Sequence, residues 1–473
     1  LHLLSRRQRQ MCIRDSKIYL FLLCFTGCFV SCDSFLDLQP KGIVIPRYYE
    51  DYEKLINYAQ LLKASDSYPN FMTDDVYLPD DGNVNFNDLE VPNRNLYTFQ
   101  AEIFGDAETD GLWEYSYNRI YYYNTIIEGV MEVEDVTLDK KRSLRAEALV
   151  GRAFEYLTLV NAYANHYDKN TAATDPGVPL MLDKEINKSN LERATVQQVY
   201  DQILIDLDTA ALYLPSKQKT AYRASKPVGL GMLARMYLYM GEYNEALKYA
   251  KLSLAENSSL LDLKNYSVVD PDKSIGRINV PYGADNPEHI YIRLAPWTFG
   301  FSGTAFGSDE LVALYDHDND MRFKLFFSNY AWGVNYDHYL WLPYIYANMA
   351  MSVPEVILIA AECEARVGSK DQAMLYLDQL LEYRIVGYQP QTAATNQEAL
   401  DKVLAERRKE MCMLGCTRVI DLKRLNREPR YAKTITHVAN GQTFTLEPNS
   451  PRYIFPIPPK VLSFNPNMQP NER

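Results

Sequence analysis

Two stretches of the chain, 127 residues apart, repeat one device. In Ala234-Arg235-Met236-Tyr237-Leu238-Tyr239-Met240-Gly241-Glu242-Tyr243-Asn244-Glu245-Ala246 and in Ala361-Glu362-Cys363-Glu364-Ala365-Arg366-Val367-Gly368-Ser369-Lys370-Asp371-Gln372-Ala373, a helical run stops at a glycine. A small alanine follows five residues later inside a second helical run. Glycine ends a helix without a Cβ penalty, and alanine lets the paired helices approach closely. A chain built this way folds into helical hairpins. The distance between the copies argues against a continuous solenoid and for large insertions between hairpins.

Helical period recurs elsewhere. Arg47 to Lys63 places Tyr48, Tyr52, Leu55, Ile56, Ala59 and Leu62 on one face, which predicts an amphipathic helix. Leu112 to Val133, Ser143 to Tyr167, and Thr195 to Leu214 before Pro215 predict three more. The expected fold is mostly α, with degenerate tetratricopeptide-like hairpins as a scaffold. The segments Ser65 to Gly111, Asp168 to Glu192, Leu260 to Tyr346 and Tyr431 to Arg473 lack helical period and are rich in Pro, Gly, Asn, Asp and aromatics. Long insertions of this kind carry function more often than not, so the binding surface is expected there.

The N-terminus reads as an export signal. An apolar run from Ile18 to Val30 follows Arg14 and Lys17 and closes on small residues beside Cys32. It is too short to span a bilayer. Ser31-Cys32 fits a lipobox, in which the cysteine is acylated, with Gly27-Cys28 as a second possible site. Residues 1–16 read as a non-native leader with Met11 as an internal start, and 17–31 as the signal peptide. Beyond residue 31 the chain carries a net charge of −16, which makes nucleic acid and anionic lipid poor partners. Cys363, Cys412 and Cys416 form no CxxC and read as buried free thiols, the last two on a helix.

Two aromatic clusters stand out as binding candidates. The first is Trp297, Phe299 and Phe301 with Trp332, Tyr336 and Trp341, where three of the four tryptophans fall without helical period. The second spans Tyr77 to Phe99 and includes Asn83, Arg94 and Tyr97. A pyranose stacks its C–H face on an aromatic ring while amides and carboxylates bind its hydroxyls, and both clusters offer that mixture. Anchoring of the loops is the alternative for any single ring. Asp316-His317-Asp318-Asn319-Asp320-Met321-Arg322 lacks the Gly and distant Glu of an EF-hand and reads as a structural turn. Asp74, Asp75, Asp80 and Asp81 read as solvated charge. There is no HExxH, GxSxG or phosphate loop, so no catalytic, metal or cofactor site is expected. Paired carboxylates for glycoside hydrolysis remain open among 61 acidic residues, as does a pure protein-interaction scaffold.

Taken in order, further landmarks resemble the SusD/RagB family of outer-membrane nutrient-binding lipoproteins. They are Cys32-Asp33-Ser34-Phe35-Leu36-Asp37, Trp113 to Asn124, Arg152 to Leu157, Gly177-Val178-Pro179-Leu180, Pro354 to Glu362, Glu406 to Glu410 with Gly415 to Arg424, and Phe455-Pro456-Ile457-Pro458. Leu414 and Gln469-Pro470-Asn471 depart from the family pattern. The resemblance runs from Cys32 to about Gln469, with an N-terminal part over about 32–300 and a C-terminal RagB/SusD part over about 301–473. It implies a non-catalytic, surface-exposed lipoprotein of the outer membrane, anchored through Cys32. It further implies capture of oligo- or polysaccharide, or of oligopeptide, as the lid of a SusC-like TonB-dependent transporter. The acidic and basic residues around Glu410, Arg418, Asp421 and Arg424 read as an internal paired network.

Overall fold

The computed structural model describes residues 46–64, 68–79, 86–185, 191–273, 276–295, 306–342 and 347–473. Helix α1 (Tyr49–Ile56) is shorter than its apolar period suggests. The Asn57 amide takes the Glu53 carbonyl at 2.7 Å, so a side chain replaces the next turn of the ladder. Beyond a short 3₁₀ turn the chain straightens, because Leu62 and Ala64 pair with Leu294. The long helices form where predicted. Asp110 caps α2 (Gly111–Glu132) through the Leu112 N–H at 3.0 Å. Helix α3 (Leu138–Tyr163) begins earlier and ends earlier than its period suggests. Thr195 and Gln198 form a reciprocal capping box on α4 (Val196–Tyr213).

The two glycine-punctuated hairpins are present: α5 (Lys226–Met240) with α6 (Tyr243–Glu256), and α7 (Val353–Val367) with α8 (Lys370–Leu381). Their glycines act differently. Gly241 adopts a left-handed φ of 76°, the usual helix stop. Gly368 does not; a Cβ there would lie 2.0 Å from a Glu364 carboxylate oxygen. Ala246, Ala250 and Ala373 are fully buried in the seams. Helix α9 (Asn396–Glu410) and α10 (Thr417–Leu425) complete the long helices.

Successive helices from α2 through α9 pack against one another, and α6 packs directly on α7. The insertion of residues 257–352 between α6 and α7 therefore does not interrupt the helical array in space. The chain from Arg47 to Arg473 is one compact unit.

The insertions are less irregular than expected. A four-stranded antiparallel sheet, in the order β1-β2-β4-β3, joins β1 (Val76–Tyr77), β2 (Phe306–Gly307), β3 (Phe327–Ala331) and β4 (Val334–Trp341). Among the other short ladders, Ile435–Ala439 pairs with Gln442–Leu446.

The charged signature residues form buried pairs, as the sequence suggests. Asp421 accepts from Arg407 at 2.9 Å and from Arg424 at 2.7 Å, and Arg424 reaches Glu362 of α7. Glu410 accepts from Arg384 and Arg322. Asp74 and Asp75 correct the expectation of solvated charge. They are 7% and 0% exposed, and they meet Arg418, Arg408 and Lys433, which fastens the first insertion to α9 and α10. Asp80 and Asp81 lie outside the described residues. Cys363, Cys412 and Cys416 are free thiols, but Cys412 and Cys416 sit in the turn between α9 and α10 rather than on a helix.

Candidate functional site

The four-stranded sheet gathers the described aromatic candidates. Along β4 the side chains alternate, as the period of a strand requires. Tyr336, His338 and Leu340 face a satellite cluster of Phe306, Ala331 and Leu342. Tyr339 and Trp341 face the main core. Tyr336 lies 5.4 Å from the Phe306 ring, and β1 brings Tyr77 to 4.4 Å from His338. His338 Nδ1 is 3.4 Å from an Asp309 carboxylate oxygen. A half-buried row of rings thus lies over a small apolar cluster, while the exposed Asn335 and Asp337 fall on the opposite face by the same alternation.

The hairpin tip carries the most exposed ring of the group. Ala331 pairs with Val334, so Trp332 and Gly333 alone make the turn, with φ of 53° and 78°. Two positive φ values define a type I′ turn, whose first position favours Asn, Asp or Gly. A tryptophan there costs roughly 1 kcal/mol or more, and its side chain gains little packing in return, since Trp332 is 42% exposed. Tyr330, on the same hairpin, donates its hydroxyl to Asp272.

Family models match both ends of this fold. The SusD-like model, described as starch-binding associating with outer membrane, covers residues 34–238, and the SusD family model covers residues 347–473. The chain belongs to the SusD/RagB family. No curated protein matches the sequence. Among solved structures, a SusD superfamily protein from Bacteroides thetaiotaomicron shares 18% identity at a TM-score of 0.71, over 90% of this chain and 100% of its own. One from Bacteroides fragilis shares 20% identity at 0.70, over 90% and 100%. A SusD-like carbohydrate binding protein from Bacteroides vulgatus shares 20% identity at 0.68, over 89% and 98%. At these identities the likeness shows the mostly helical fold.

Within this SusD-family fold the remaining candidates separate. Trp341 is 6% exposed and Tyr97 is 1% exposed, so neither ring offers a face to a ligand here. Tyr97 stacks on His437 at 4.1 Å and accepts from the Leu78 N–H; burial pushes its phenol up to about 12. Arg94 is half-buried and donates to the Asn87 carbonyl at 3.3 Å, near the turn at Asn440 rather than at the sheet. Of the described residues of its cluster, Tyr77 joins the first cluster. Trp297, Phe299, Phe301, Asn83 and Cys32 lie outside the described residues. His338 was missed from sequence, although its alternation with Tyr336 and Leu340 was a readable signal. The loop from Asp316 to Arg322 is a structural turn. Asp316 accepts the Asp318 and Asn319 N–H groups, and Asp320 pairs with Arg322. Among the described residues no three His, Cys, Asp or Glu side chains converge to hold a metal ion.

Proposed function

We propose that the chain is a non-catalytic, cell-surface lipoprotein that binds oligo- or polysaccharide. In this reading it delivers the glycan to a SusC-like TonB-dependent outer-membrane transporter and acts as its lid. The observation that carries the binding site is Trp332, a large ring held in an unfavourable backbone conformation yet left exposed at a hairpin tip. Strain retained without packing gain marks positions kept for function. Tyr336, Tyr77 and His338 continue the aromatic surface behind it, and Asp309 beside His338 supplies a hydroxyl partner. Trp297, Phe299, Phe301 and Asn83 remain further ligand contacts of this proposal. Family membership and the Bacteroides vulgatus relative support carbohydrate over peptide. No helix among the described residues is long and apolar enough to cross a membrane, consistent with attachment through an acylated Cys32.

Purified residues 33–473 titrated with a panel of oligosaccharides and oligopeptides test this. A stacking ring contributes about 0.5–1.5 kcal/mol, so Trp332→Ala and Tyr336→Ala should each weaken glycan binding about two- to tenfold, with no sugar product released. Binding of peptides alone would assign the oligopeptide reading. Glycan binding unchanged in the double variant would remove the site, and product release abolished by a carboxylate substitution would make the protein a hydrolase. In cells, palmitate labelling should disappear in Cys32→Ala.

A further inference from the structure

An aromatic strip lies along the outward face of α2. On one flank the Tyr52 ring of α1 sits against Gly129, and the Tyr58 ring just beyond α1 lies 5.2 Å from Tyr122. On the other flank runs the segment after Gly177, where the Pro179 carbonyl accepts the Tyr117 hydroxyl at 2.9 Å and the Met181 carbonyl accepts the Asn124 amide at 2.8 Å. Each helical residue advances by about 100°. Tyr115, Asn118, Tyr121, Tyr122 and Thr125 therefore share about one third of the circumference, between the two flanks.

The rings of this strip are in water and yet held in place. Tyr58, Tyr115 and Tyr121 are 42%, 51% and 40% exposed. Tyr122 is half-buried between two of them, 5.2 Å from Tyr58 at an interplanar angle of 64° and 5.5 Å from Tyr121 at 67°. Edge-to-face contacts of this kind fix the rings before a ligand arrives and lower the entropic cost of binding. Clustered exposed rings, unlike single ones, mark a binding surface.

Charge and neighbours narrow the occupant. Glu114 and Glu128 stand at the ends of the strip, and no exposed charged side chain of α2 falls between them; Arg119 is buried and paired with Glu155. In a chain whose net charge beyond residue 31 is −16, a neutral strip offers nothing to a phosphate or an ionic peptide. The cores of protein interfaces add Met and Arg to their aromatic anchors, whereas between these flanks the rings are accompanied by Asn118 and Thr125, with the exposed amide of Gln60 beside Tyr58. Phenol rings surrounded by amides and hydroxyls match the apolar face and polar rim of a sugar.

We propose that this strip is a second glycan-binding surface, which takes a neutral oligosaccharide. Pyranose faces stack on Tyr58 and Tyr121, and the sugar hydroxyls meet Gln60, Asn118 and the phenols. From Tyr115 to Tyr122 the strip runs about 10 Å along the helix axis, longer than one pyranose ring. The inference rests on the reading of the protein as a glycan binder and shares no residue with the surface around Trp332.

Calorimetric titration of residues 33–473, which contain the compact unit from Arg47, tests the proposal. The probes are maltoheptaose, cellohexaose and xylohexaose. Two double variants separate the surfaces, Tyr58→Ala with Tyr121→Ala in the strip and Trp332→Ala with Tyr336→Ala in the hairpin. A saccharide that binds should occupy two sites per protein, one lost in each double variant, and all four substitutions together should abolish binding. Within the strip site, Tyr58→Ala and Tyr121→Ala alone should each weaken affinity about two- to tenfold. Should the strip variant lose helical circular dichroism, Asn118→Ala, an exposed residue outside the ring contacts, decides by weakening the same site. A single site lost only in the strip variant would uphold this surface and remove the one around Trp332. Saccharide binding unchanged in the strip variant, whatever else the strip then binds, would overturn the proposal and leave the glycan reading standing. Binding of no saccharide would overturn both.

Discussion

Trp332 separates what a residue does for the fold from what it does for a ligand. At the first position of a type I′ turn, Asn is favoured where Trp is strained. Trp332→Asn should therefore raise stability by about 1 kcal/mol, read as a higher urea midpoint, while lowering glycan affinity. A loss of stability would show that the ring packs into the fold after all. A second residue, Asp110, ties helix capping to pH. It is 2% exposed and accepts from Tyr68 and Tyr163 at 2.5 Å and from the Leu112 N–H at 3.0 Å. Burial nevertheless raises its carboxyl from 3.8 to about 6, the hydrogen bonds opposing. The folded state thus holds a proton between pH 4 and 6 that the unfolded state has released. This contribution is fully present below pH 4 and lost as pH rises through 6, amounting to about 3 kcal/mol. The stability difference between the protein and Asp110→Asn should shift across that window; a pH-independent difference would place the Asp110 titration elsewhere.

At the scale of elements, the helices were legible and the strands were not. Apolar residues every three or four positions, with Asp110 and Thr195 as caps, set α2 and α4 within a residue or two of their observed ends. The ends of α1 and α3 escaped because partners distant in sequence decide them, Leu294 for the chain after α1 and Lys423 for α3. In the third insertion, β4 was hidden by its position between two cores. Its residues are apolar on both faces toward Trp341, so the alternation survives only from Val334 to His338. Asn440-Gly441, a strong hairpin signal, did form the turn between Ile435–Ala439 and Gln442–Leu446. The Asp74 pair was misread for a similar reason: its cations are more than 330 residues away. Burial opposes ionisation, but Arg418 and Arg408 hold the Asp74 carboxyl well below the usual carboxylate range. Asp74→Ala leaves Arg418 buried without its main partner and should cost about 3–5 kcal/mol in urea unfolding. Adding Arg418→Met should recover part of that loss. Additive losses would mean the two residues act independently. Between α2 and α3 the contact is steric. A Cβ on Gly151 would fall 2.3 Å from the Tyr123 ring, so Gly151→Ala should cost about 1–3 kcal/mol by overpacking.

At the scale of the whole molecule, the hairpins with a large insertion between them are as the sequence suggests, but not which helices are neighbours. Sequence distance between Gly241 and Gly368 argues against a continuous solenoid, whereas α6 and α7 are adjacent in the array. Local period reports which face of a helix is buried and not against which helix, and nothing in either hairpin encodes a neighbour that lies beyond an insertion. The candidate site was half legible for the same reason. Ring composition pointed to the third insertion, but only pairing of β1 with β2 shows that Tyr77 belongs there while Tyr97 and Trp341 support it from within. The continuous array also predicts how the protein unfolds. Removing α7 would expose the buried seam of α6 at Ala246 and Ala250, and the buried pairs of Arg424 with Glu362 and of Arg418 with Asp74 bind α10 to α7 and to the first insertion. No group of helices can separate without exposing such a seam or an unpaired charge. Far-ultraviolet circular dichroism reports the helices, and tryptophan fluorescence reports Trp113 in α2, Trp297, and Trp332 and Trp341 in the β3–β4 hairpin. In urea the two signals should trace one coincident transition; fluorescence that changes first would show the sheet and its glycan surface to be a separately folding unit.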